Sequence, residues 1–279
     1  MNNSLQHDLN SFVLYLHPLK SGTLPSTNGD LVHGCFHDMI RSFAPDFVDK
    51  WHDQSPFRPF TLSGLIHYQD RRGRQSPSGG ILLREDQEYL IRVTTLTRQA
   101  WEVVQGGLSR LSVLNIGSVP FQLAGKSMSR HNLAGSANYT DLCREFDQSG
   151  KNPADQIRIT FLSPTAFKKG DINELFPTPE NFFHSLLRKW KYFCNERVSE
   201  AEPGMWAESW MASRYNLMTR MLDFGSFQQV GFKGELYFRS TPNADKEIKA
   251  LGRILARFAF YSGVGYATTR GMGSVVTEL

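Results

Sequence analysis

The sequence predicts an α+β protein made of two tandem ferredoxin-like βαββαβ domains, one over residues 1–150 and one over residues 151–279. The order strand, helix, strand pair, helix, strand occurs once in each half of the chain. A chain of 279 residues, 40% of them hydrophobic, is long enough to form two domains with their own cores. The polar stretch QSGKNPAD separates the halves, which share no repeat at the level of residues.

The first half contains the elements of one such domain. Residues 9–18 alternate apolar and polar side chains, which predicts a strand, and LVHGCFHDMIRSF has apolar residues at helical spacing. Pro45 begins a short second helix that ends near His52. FRPFTLSGLIHY, ILLRED and EYLIRVTTL are β-rich, and the short turn between the last two predicts that they pair as a hairpin. TRQAWEVVQGG is predicted as a helix capped by Thr97 and stopped by its glycine pair, before the strand SVPFQLAG.

The second half repeats this order. QIRITFLSP is a predicted strand, and TPENFFHSLLRKWKYF a helix with Thr178 as N-cap and Pro179 at its first position. RYNLMTRMLDF and GFKGELYFRS are predicted to pair as strands. NADKEIKALGRILARFAFYSG is an amphipathic helix stopped by glycine, and GMGSVVTEL closes the sheet.

Charge, cysteine content and hydrophobicity exclude several classes of protein, including disulfide-rich and membrane-spanning ones. The 31 Lys and Arg against 27 Asp and Glu give a net charge of +4, which permits a polyanionic partner without requiring one. Cys35, Cys143 and Cys194 are too few and too far apart for a disulfide framework or a CxxC metal site. The chain has no apolar run of about 20 residues and no secretory pattern at its start. We therefore expect no membrane partner and a cytoplasmic location.

The first candidate site is formed by His37, His52 and Arg58. Histidine titrates near neutral pH, so two neighbouring histidines can accept and donate protons in one reaction, while an arginine neutralises a phosphate oxygen. A structural pair of histidines fits the same pattern. His33 and His37 are four residues apart and could bind zinc, but no Glu follows His33 and no cysteine pair supplies further ligands.

The second candidate site is the glycine-rich segment GVGYATTRGMG at residues 263–273. Its glycines allow the backbone to approach a phosphate, and Arg270 could add a charged hydrogen bond. A tight turn between a helix and a strand is the alternative. A dinucleotide site is excluded, because that motif follows a strand and opens a helix, whereas this segment follows a helix.

The third candidate feature is positive charge that can pair with a nucleic-acid backbone, although such clusters also occur on ordinary solvated faces. These residues are Arg71, Arg72 and Arg74 in one loop, Lys168 and Lys169 after FLSPTAF, Arg188, Lys189 and Lys191 on one helix, and Arg253 and Arg257 on another.

Three segments carry a resemblance to a known family. GVGYATTRGMGSVV resembles the terminal glycine-rich loop of the RAMP superfamily of CRISPR proteins, and FLSPTAFKKG resembles the opening strand and turn of the second domain in its RNA-processing members. HGCFHDMIRSFAPDFVDKWHDQSPFRPFTLS resembles the catalytic region of the endoribonucleases that cut precursor CRISPR RNA within each repeat. The chain thus resembles the sixth CRISPR-associated family over nearly its whole length.

The resemblance implies tandem ferredoxin-like domains and cleavage of the repeat without a metal or cofactor. The 2′-OH attacks the adjacent phosphorus, giving a 2′,3′-cyclic phosphate and a 5′-OH, and the enzyme stays bound to its product. The implied partners are the repeat RNA, as precursor and mature guide, and other subunits of an interference complex. Two alternatives remain: a non-catalytic RNA-binding subunit of the same superfamily, and a metal-dependent nuclease using His33 and His37.

Residue by residue, the resemblance assigns the principal catalytic histidine to His52, a second proton-transfer group to His37, and a charge-stabilising group to Arg58. His33 is a substitute for His37, and the assignment of base and acid stays open. The residues implied to bind RNA are His33, Arg71, Arg72, Lys168, Lys169, Gly263, Gly265, Thr269, Arg270, Gly271 and Gly273.

Overall fold

The computed structural model describes residues 7–67, 80–148, 155–194 and 200–279, without the side chains of residues 52–54 and 145–148. These residues form two compact units. The first comprises Met1–Ser136 with Asp223–Phe227 and Thr269–Gly271. The second comprises Ala137–Leu222, Gln228–Thr268 and Met272–Leu279. The predicted boundary between residues 150 and 151 lies outside the described residues, so that division stays a prediction.

The first unit is built on an antiparallel sheet with helices on one face. Its elements are β1 (Leu9–Pro18), β2 (Gly22–Pro25), α1 (Gly29–Phe43), α2 (Pro45–Gln54), β3 (Phe60–Leu62), β4 (Ile66–His67), β5 (Gly80–Leu83), β6 (Tyr89–Thr95), α3 (Arg98–Leu108), β7 (Val113–Ile116), β8 (Val119–Ser127) and β9 (Gly135–Ala137). The strand order is β3-β6-β1-β8-β7. Strands β1, β3, β6 and β8 thus take the positions of the first, second, third and fourth strands of a βαββαβ unit, which confirms the predicted fold class.

The predicted hairpin between ILLRED and EYLIRVTTL is wrong. Strand β5 pairs with β2 in a separate small sheet, whereas β6 pairs with β1, β3 and β4. All seven residues of β6 are buried in the centre of the main sheet. The main-chain groups of a central strand are used by its two neighbours, so β5 had to pair elsewhere.

The glycine pair predicted to stop helix α3 lies inside it instead. The helix is capped at Thr97 as predicted, since its hydroxyl accepts from the Ala100 N–H at 3.1 Å, but it continues to Leu108. A Cβ atom at Gly106 would lie 2.3 Å from the ring of Phe43 in α1. These glycines therefore allow α3 to pack closely on α1, the helix that carries two of the candidate histidines.

The second unit repeats the arrangement. Its elements are α4 (Tyr139–Gln148), β10 (Gln156–Thr165), β11 (Phe167–Lys169), β12 (Ile172–Glu174), α5 (Pro179–Phe193), α6 (Pro203–Ser209), β13 (Trp210–Asp223), β14 (Gln228–Ser240), α7 (Lys246–Ser262) and β15 (Val275–Glu278). The sheet order β13-β14-β10-β15 is again that of a ferredoxin-like unit. Thr178 caps α5 as predicted, accepting from the Asn181 N–H at 3.2 Å.

Aromatic side chains fill much of the second core, with Phe161, Phe182, Phe183 and Phe238 packed between the sheet and α5. Among the described residues, no helix combines the length and the apolar character needed to cross a membrane.

Candidate active site

Helix α1 carries His33 and His37 on one face, because residues four apart in a helix are neighbours. Their ring centroids are 6.4 Å apart. The side chain of His37 is 25% exposed, and its Nδ1 lies 3.6 Å from a carboxylate oxygen of Asp38. The ring of His37 is thus reachable from solvent while its helix is packed against the core.

Cys35 lies between these histidines in the sequence but points into the protein. Burial raises the pKa of its thiol to about 11, so the group stays protonated at neutral pH. We assign Cys35 a packing role, since it is half-buried against the core and a neutral thiol is a poor nucleophile.

An aromatic cluster joins helix α2 and strand β3 beside His33. The ring of Trp51 lies 3.7 Å from that of Phe47 and 5.0 Å from that of Phe60, measured between centroids. The Phe60 ring in turn stacks with His33 at 6.3 Å. Trp51 and Phe60 are both buried, so this cluster fixes the last turn of α2 relative to the face of α1 that bears the histidines.

His52 follows the buried Trp51 in the last turn of α2, and α2 packs against α1. The structure thus places the backbone of His52 in a helix adjacent to the one that carries His37. The side chain of His52 is not among those described, and its role stays a prediction.

Arg58 lies in the short connection between α2 and β3. Its Nη1 donates a hydrogen bond of 2.7 Å to the carbonyl oxygen of Ser55. A guanidinium has five N–H donors in a rigid fork, so one bond to the backbone orients the group without using all of its donors.

The glycine-rich segment forms a compact turn after helix α7. Four of its glycines, Gly263, Gly265, Gly271 and Gly273, have positive φ angles between 61° and 87°. The N–H groups of Val264, Tyr266, Gly271, Met272 and Gly273 donate to backbone carbonyls of the protein. At these five positions the glycine-rich backbone therefore serves the turn itself, and an anion would have to use other groups of the segment.

The part of the glycine-rich segment at Thr269–Gly271 belongs to the first unit. The guanidinium of Arg270 forms a two-pronged ion pair with the carboxylate of Asp30, near the start of α1. Sequence reasoning missed Asp30, because 240 residues separate it from Arg270 and nothing in the local pattern distinguishes it from any acidic residue in a first helical turn.

Lys168 and Lys169 lie on strand β11 in the second unit, and both are exposed. The Nζ of Lys168 lies 5.4 Å from the ring centroid of Tyr266, within cation–π range. The Tyr266 N–H also donates to the carbonyl of Ala166 at 2.9 Å. The structure thus brings Lys168 to the first half of the glycine-rich segment. Arg71 and Arg72 lie outside the described residues.

Lys189 does not belong to an exposed basic surface. It is only 6% exposed, and its Nζ donates at 3.1 Å to the carbonyls of both Ser262 and Gly263. Those carbonyls end helix α7, where the unpaired C=O groups attract a cation. Lys189 therefore anchors the point at which the glycine-rich segment begins.

No group of three or more His, Cys, Asp or Glu side chains is arranged to hold a metal ion within the part of the chain that the structure describes.

Comparison with known proteins shows which proteins the chain is similar to. A sequence model described as CRISPR-associated endoribonuclease Cas6 matches residues 159–275. The CRISPR-associated endoribonuclease Cas6 of Streptococcus thermophilus is 24% identical over 249 residues, which are 88% of this chain and 89% of that protein. The chain is similar to Cas6 proteins over most of its length.

Two solved Cas6 structures extend this likeness over almost the whole fold. The product complex of Cas6 (TTHB231) from Thermus thermophilus is 25% identical, with a TM-score of 0.77 over 98% of this chain and 100% of that one. The product complex of Cas6 (TTHA0078) is 26% identical, with a TM-score of 0.74 over 97% of this chain and 99% of that one. The chain therefore shares the fold of both ferredoxin-like units with these solved structures.

The buried Lys189 makes the free energy of unfolding depend on pH in a way that can be tested. Burial lowers the pKa of Lys189 from 10.5 to about 7. Between these two values the unfolded chain binds a proton that the folded chain does not, so stability rises with pH in this window. Below about pH 7 both states are protonated, and the cost of burying the ammonium is present in full.

We expect native stability to rise relative to Lys189→Met by on the order of 2 kcal/mol between pH 7 and pH 9. Urea unfolding of both chains at each pH measures this change. Lys191→Met removes a lysine from an exposed position of the same helix and serves as the control. A difference between native and Lys189→Met that stays constant over the window would contradict a buried titrating lysine.

Proposed function

We propose that the chain cuts precursor CRISPR RNA within its repeats and remains bound to the mature guide RNA. The observation that carries this proposal is the pairing of helices α1 and α2, which brings His37 and the backbone of His52 to adjacent elements within a Cas6 fold. Relatives named as CRISPR-associated endoribonucleases, and solved relatives in complex with product, support it.

The reaction needs a base, an acid and a group that accepts developing negative charge. In the proposed mechanism, one of His37 and His52 removes the proton of the RNA 2′-OH, which attacks the adjacent phosphorus. The other histidine protonates the leaving 5′-oxygen. Arg58, already oriented by Ser55, stabilises the additional charge on the phosphoryl oxygens. The products are a 2′,3′-cyclic phosphate and a 5′-OH, without a metal ion in the proton transfers.

The proposed RNA contacts use the exposed lysines and the glycine-rich segment. Lys168 and Lys169 supply charge for the phosphate backbone, and Tyr266 beside them offers a ring on which a base can stack. In the glycine-rich segment, the proposed RNA contacts are made at Gly263, Gly265, Thr269, Gly271 and Gly273, where the backbone can approach the RNA. The other residues proposed to bind RNA are Arg71, Arg72 and His33.

We also propose that the protein acts in the cytoplasm, where other subunits of an interference complex could bind it. Its three cysteines are present as thiols, as expected in a reducing compartment. The division into domains at residues 150 and 151 is proposed on the same sequence grounds as above.

The test is incubation of the purified chain with end-labelled repeat RNA in excess EDTA, followed by mapping of the product ends. Cleavage at one position with a cyclic phosphate on the 5′ fragment supports the proposal. Binding without cleavage would instead identify a non-catalytic RNA-binding subunit, and cleavage only after a metal is restored would identify a metal-dependent nuclease.

A further inference from the structure

We infer that Asp30 and Arg270 form a clamp that positions helix α1 for catalysis, so that Arg270 acts through the helix and not by holding RNA. Asp30 is the second residue of α1, and Nε and Nη2 of Arg270 each donate to one of its carboxylate oxygens. Two parallel bonds between a guanidinium and a carboxylate fix orientation as well as distance. The inference rests on the proposed function, since the helix it positions carries the proposed catalytic His37.

Two phenylalanines hold the guanidinium of Arg270 in place. Its Cζ lies 5.0 Å from the ring centroid of Phe224 and 5.2 Å from that of Phe227. These two rings stack on each other at 4.9 Å, in a turn closed by a bond from the Phe224 N–H to the Phe227 carbonyl. The Asp223 N–H ties the same turn to the Thr27 hydroxyl just before α1. The contacts with Phe224 and Phe227 therefore help to hold the Arg270 guanidinium in its orientation toward Asp30.

The backbone at the start of α1 is packed equally closely. A Cβ atom at Gly29 would lie 2.0 Å from the carbonyl oxygen of Arg270, so only glycine fits at the first position of the helix. The N–H of Gly271 donates to the carbonyl of Leu62 at 3.2 Å. On the other side, Asn28 Oδ1 accepts from the Leu65 N–H at 2.7 Å. Contacts from several directions therefore set where α1 begins.

The clamp and the histidines lie on one face of the helix. His33 and His37 follow Asp30 by three and seven residues, which are the spacings of a single helical face. At a rise of 1.5 Å per residue, His37 is about 10 Å along the axis from Asp30. A change of tilt at the first turn would therefore displace the ring of His37, and catalytic rates fall steeply when a reacting group is misplaced by about 1 Å.

A direct RNA contact by Arg270, the role implied by the family resemblance, makes the opposite prediction for Asp30. If Asp30 only competed with a phosphate for Arg270, removing its charge would strengthen RNA binding and leave cleavage intact. If Asp30 and Arg270 form a clamp, removing either partner slows cleavage, and removing both costs no more than removing one.

The experiment compares Asp30→Asn, Arg270→Gln and the double variant with the native chain. Single-turnover cleavage of saturating repeat RNA in EDTA gives the rate constant, and titration at several salt concentrations gives the affinity and its salt slope. We expect each single variant to be slower by on the order of tenfold or more, with the affinity and salt slope nearly unchanged and the double variant no slower than the slower single. Asp86→Asn is the matched control, since Arg84 and Asp86 form a two-pronged but exposed ion pair.

Two results would overturn the clamp. One is cleavage by Asp30→Asn at the native rate. The other is an Arg270→Gln variant that loses affinity in step with its rate and lowers the salt slope by about one, as expected for a lost phosphate contact.

A structural readout keeps the clamp testable if the native chain proves not to cleave repeat RNA, which would refute the proposed function alone. The imidazole NMR signals of His33 and His37, assigned by substitution, should shift in Asp30→Asn and Arg270→Gln but not in Asp86→Asn. Unchanged signals in both clamp variants would show that the pair does not position this face of α1, whatever the RNA chemistry.

Discussion

Replacing His52 by alanine is expected to slow cleavage of the repeat by about 10²-fold or more while leaving RNA affinity nearly unchanged. A general acid or base accelerates a proton transfer by roughly 10²–10⁴-fold, and this acceleration is lost when the group is removed. The affinity should be nearly unchanged, because contacts between basic side chains and the RNA phosphates supply most of the binding energy. These contacts take no part in the proton transfer. Single-turnover rates and equilibrium titration of the same RNA measure the two quantities separately.

The control for His52→Ala is another histidine of the first unit. His17 lies on β1, paired with Glu88 at 3.6 Å, and is not part of the proposed site, so His17→Ala should cleave at the native rate. His37→Ala and His33→Ala, studied in parallel, decide which histidine of α1 is the partner of His52. A loss of affinity as large as the loss of rate would assign His52 to binding and not to catalysis.

The elements that could be predicted from sequence are those set by local physics. Thr97 and Thr178 precede amphipathic helices, and each hydroxyl accepts the expected backbone N–H. Gly263 ends α7 with a φ of 61°, as the sequence predicted. Caps and hydrophobic periodicity depend on residues within a few positions of each other, so one sequence is enough to find them.

The predicted pairing of β13 with β14 is confirmed, but the pairing of β5 could not be predicted in the same way. The short turn between β5 and β6 favours a hairpin. Instead, β6 is an inner strand of the main sheet and pairs with β1, whose residues lie more than 70 positions earlier in the sequence. Leu14, for example, is paired with Ile91. The choice between a local and a distant partner depends on burial of the whole sheet, which is not a local property. The glycine pair of α3 was misjudged for a similar reason, because its close neighbour Phe43 is remote in sequence.

In the candidate site, too, local sequence patterns reveal some features, whereas contacts between residues far apart in the sequence are not revealed. Helical spacing predicts that His33 and His37 share one face of α1, whereas the roles of His37 and His52 came from the family resemblance and stay predictions. By contrast, the partners of Arg270 are Asp30, Phe224 and Phe227, which no local pattern relates to it. Lys189 looked like part of a basic helix face, yet it is buried on the carbonyls that end α7. A charge in the sequence becomes a binding residue or a structural one only through its tertiary partners.

A repeat RNA with a single 2′-deoxy substitution at the nucleotide 5′ to the cut is expected to give no product while binding with nearly native affinity. The proposed mechanism uses that 2′-OH as the nucleophile, and no histidine can replace an absent oxygen. Affinity should change little, since one hydroxyl is a small part of an interface dominated by phosphates and shape. Moving the substitution one nucleotide further toward the 5′ end provides the control and should restore cleavage at the normal position.

The deoxy substrate also separates two classes of nuclease that a single active-site variant does not. An enzyme that activates water attacks the phosphorus without using the neighbouring hydroxyl, so it would cut the deoxy RNA and leave no cyclic phosphate. An enzyme in which His37 and His52 transfer protons to and from the RNA cannot cut the deoxy RNA, because the 2′-OH nucleophile is missing. Cleavage of the deoxy RNA at the native position would therefore refute the proposed chemistry even if His52→Ala were inactive.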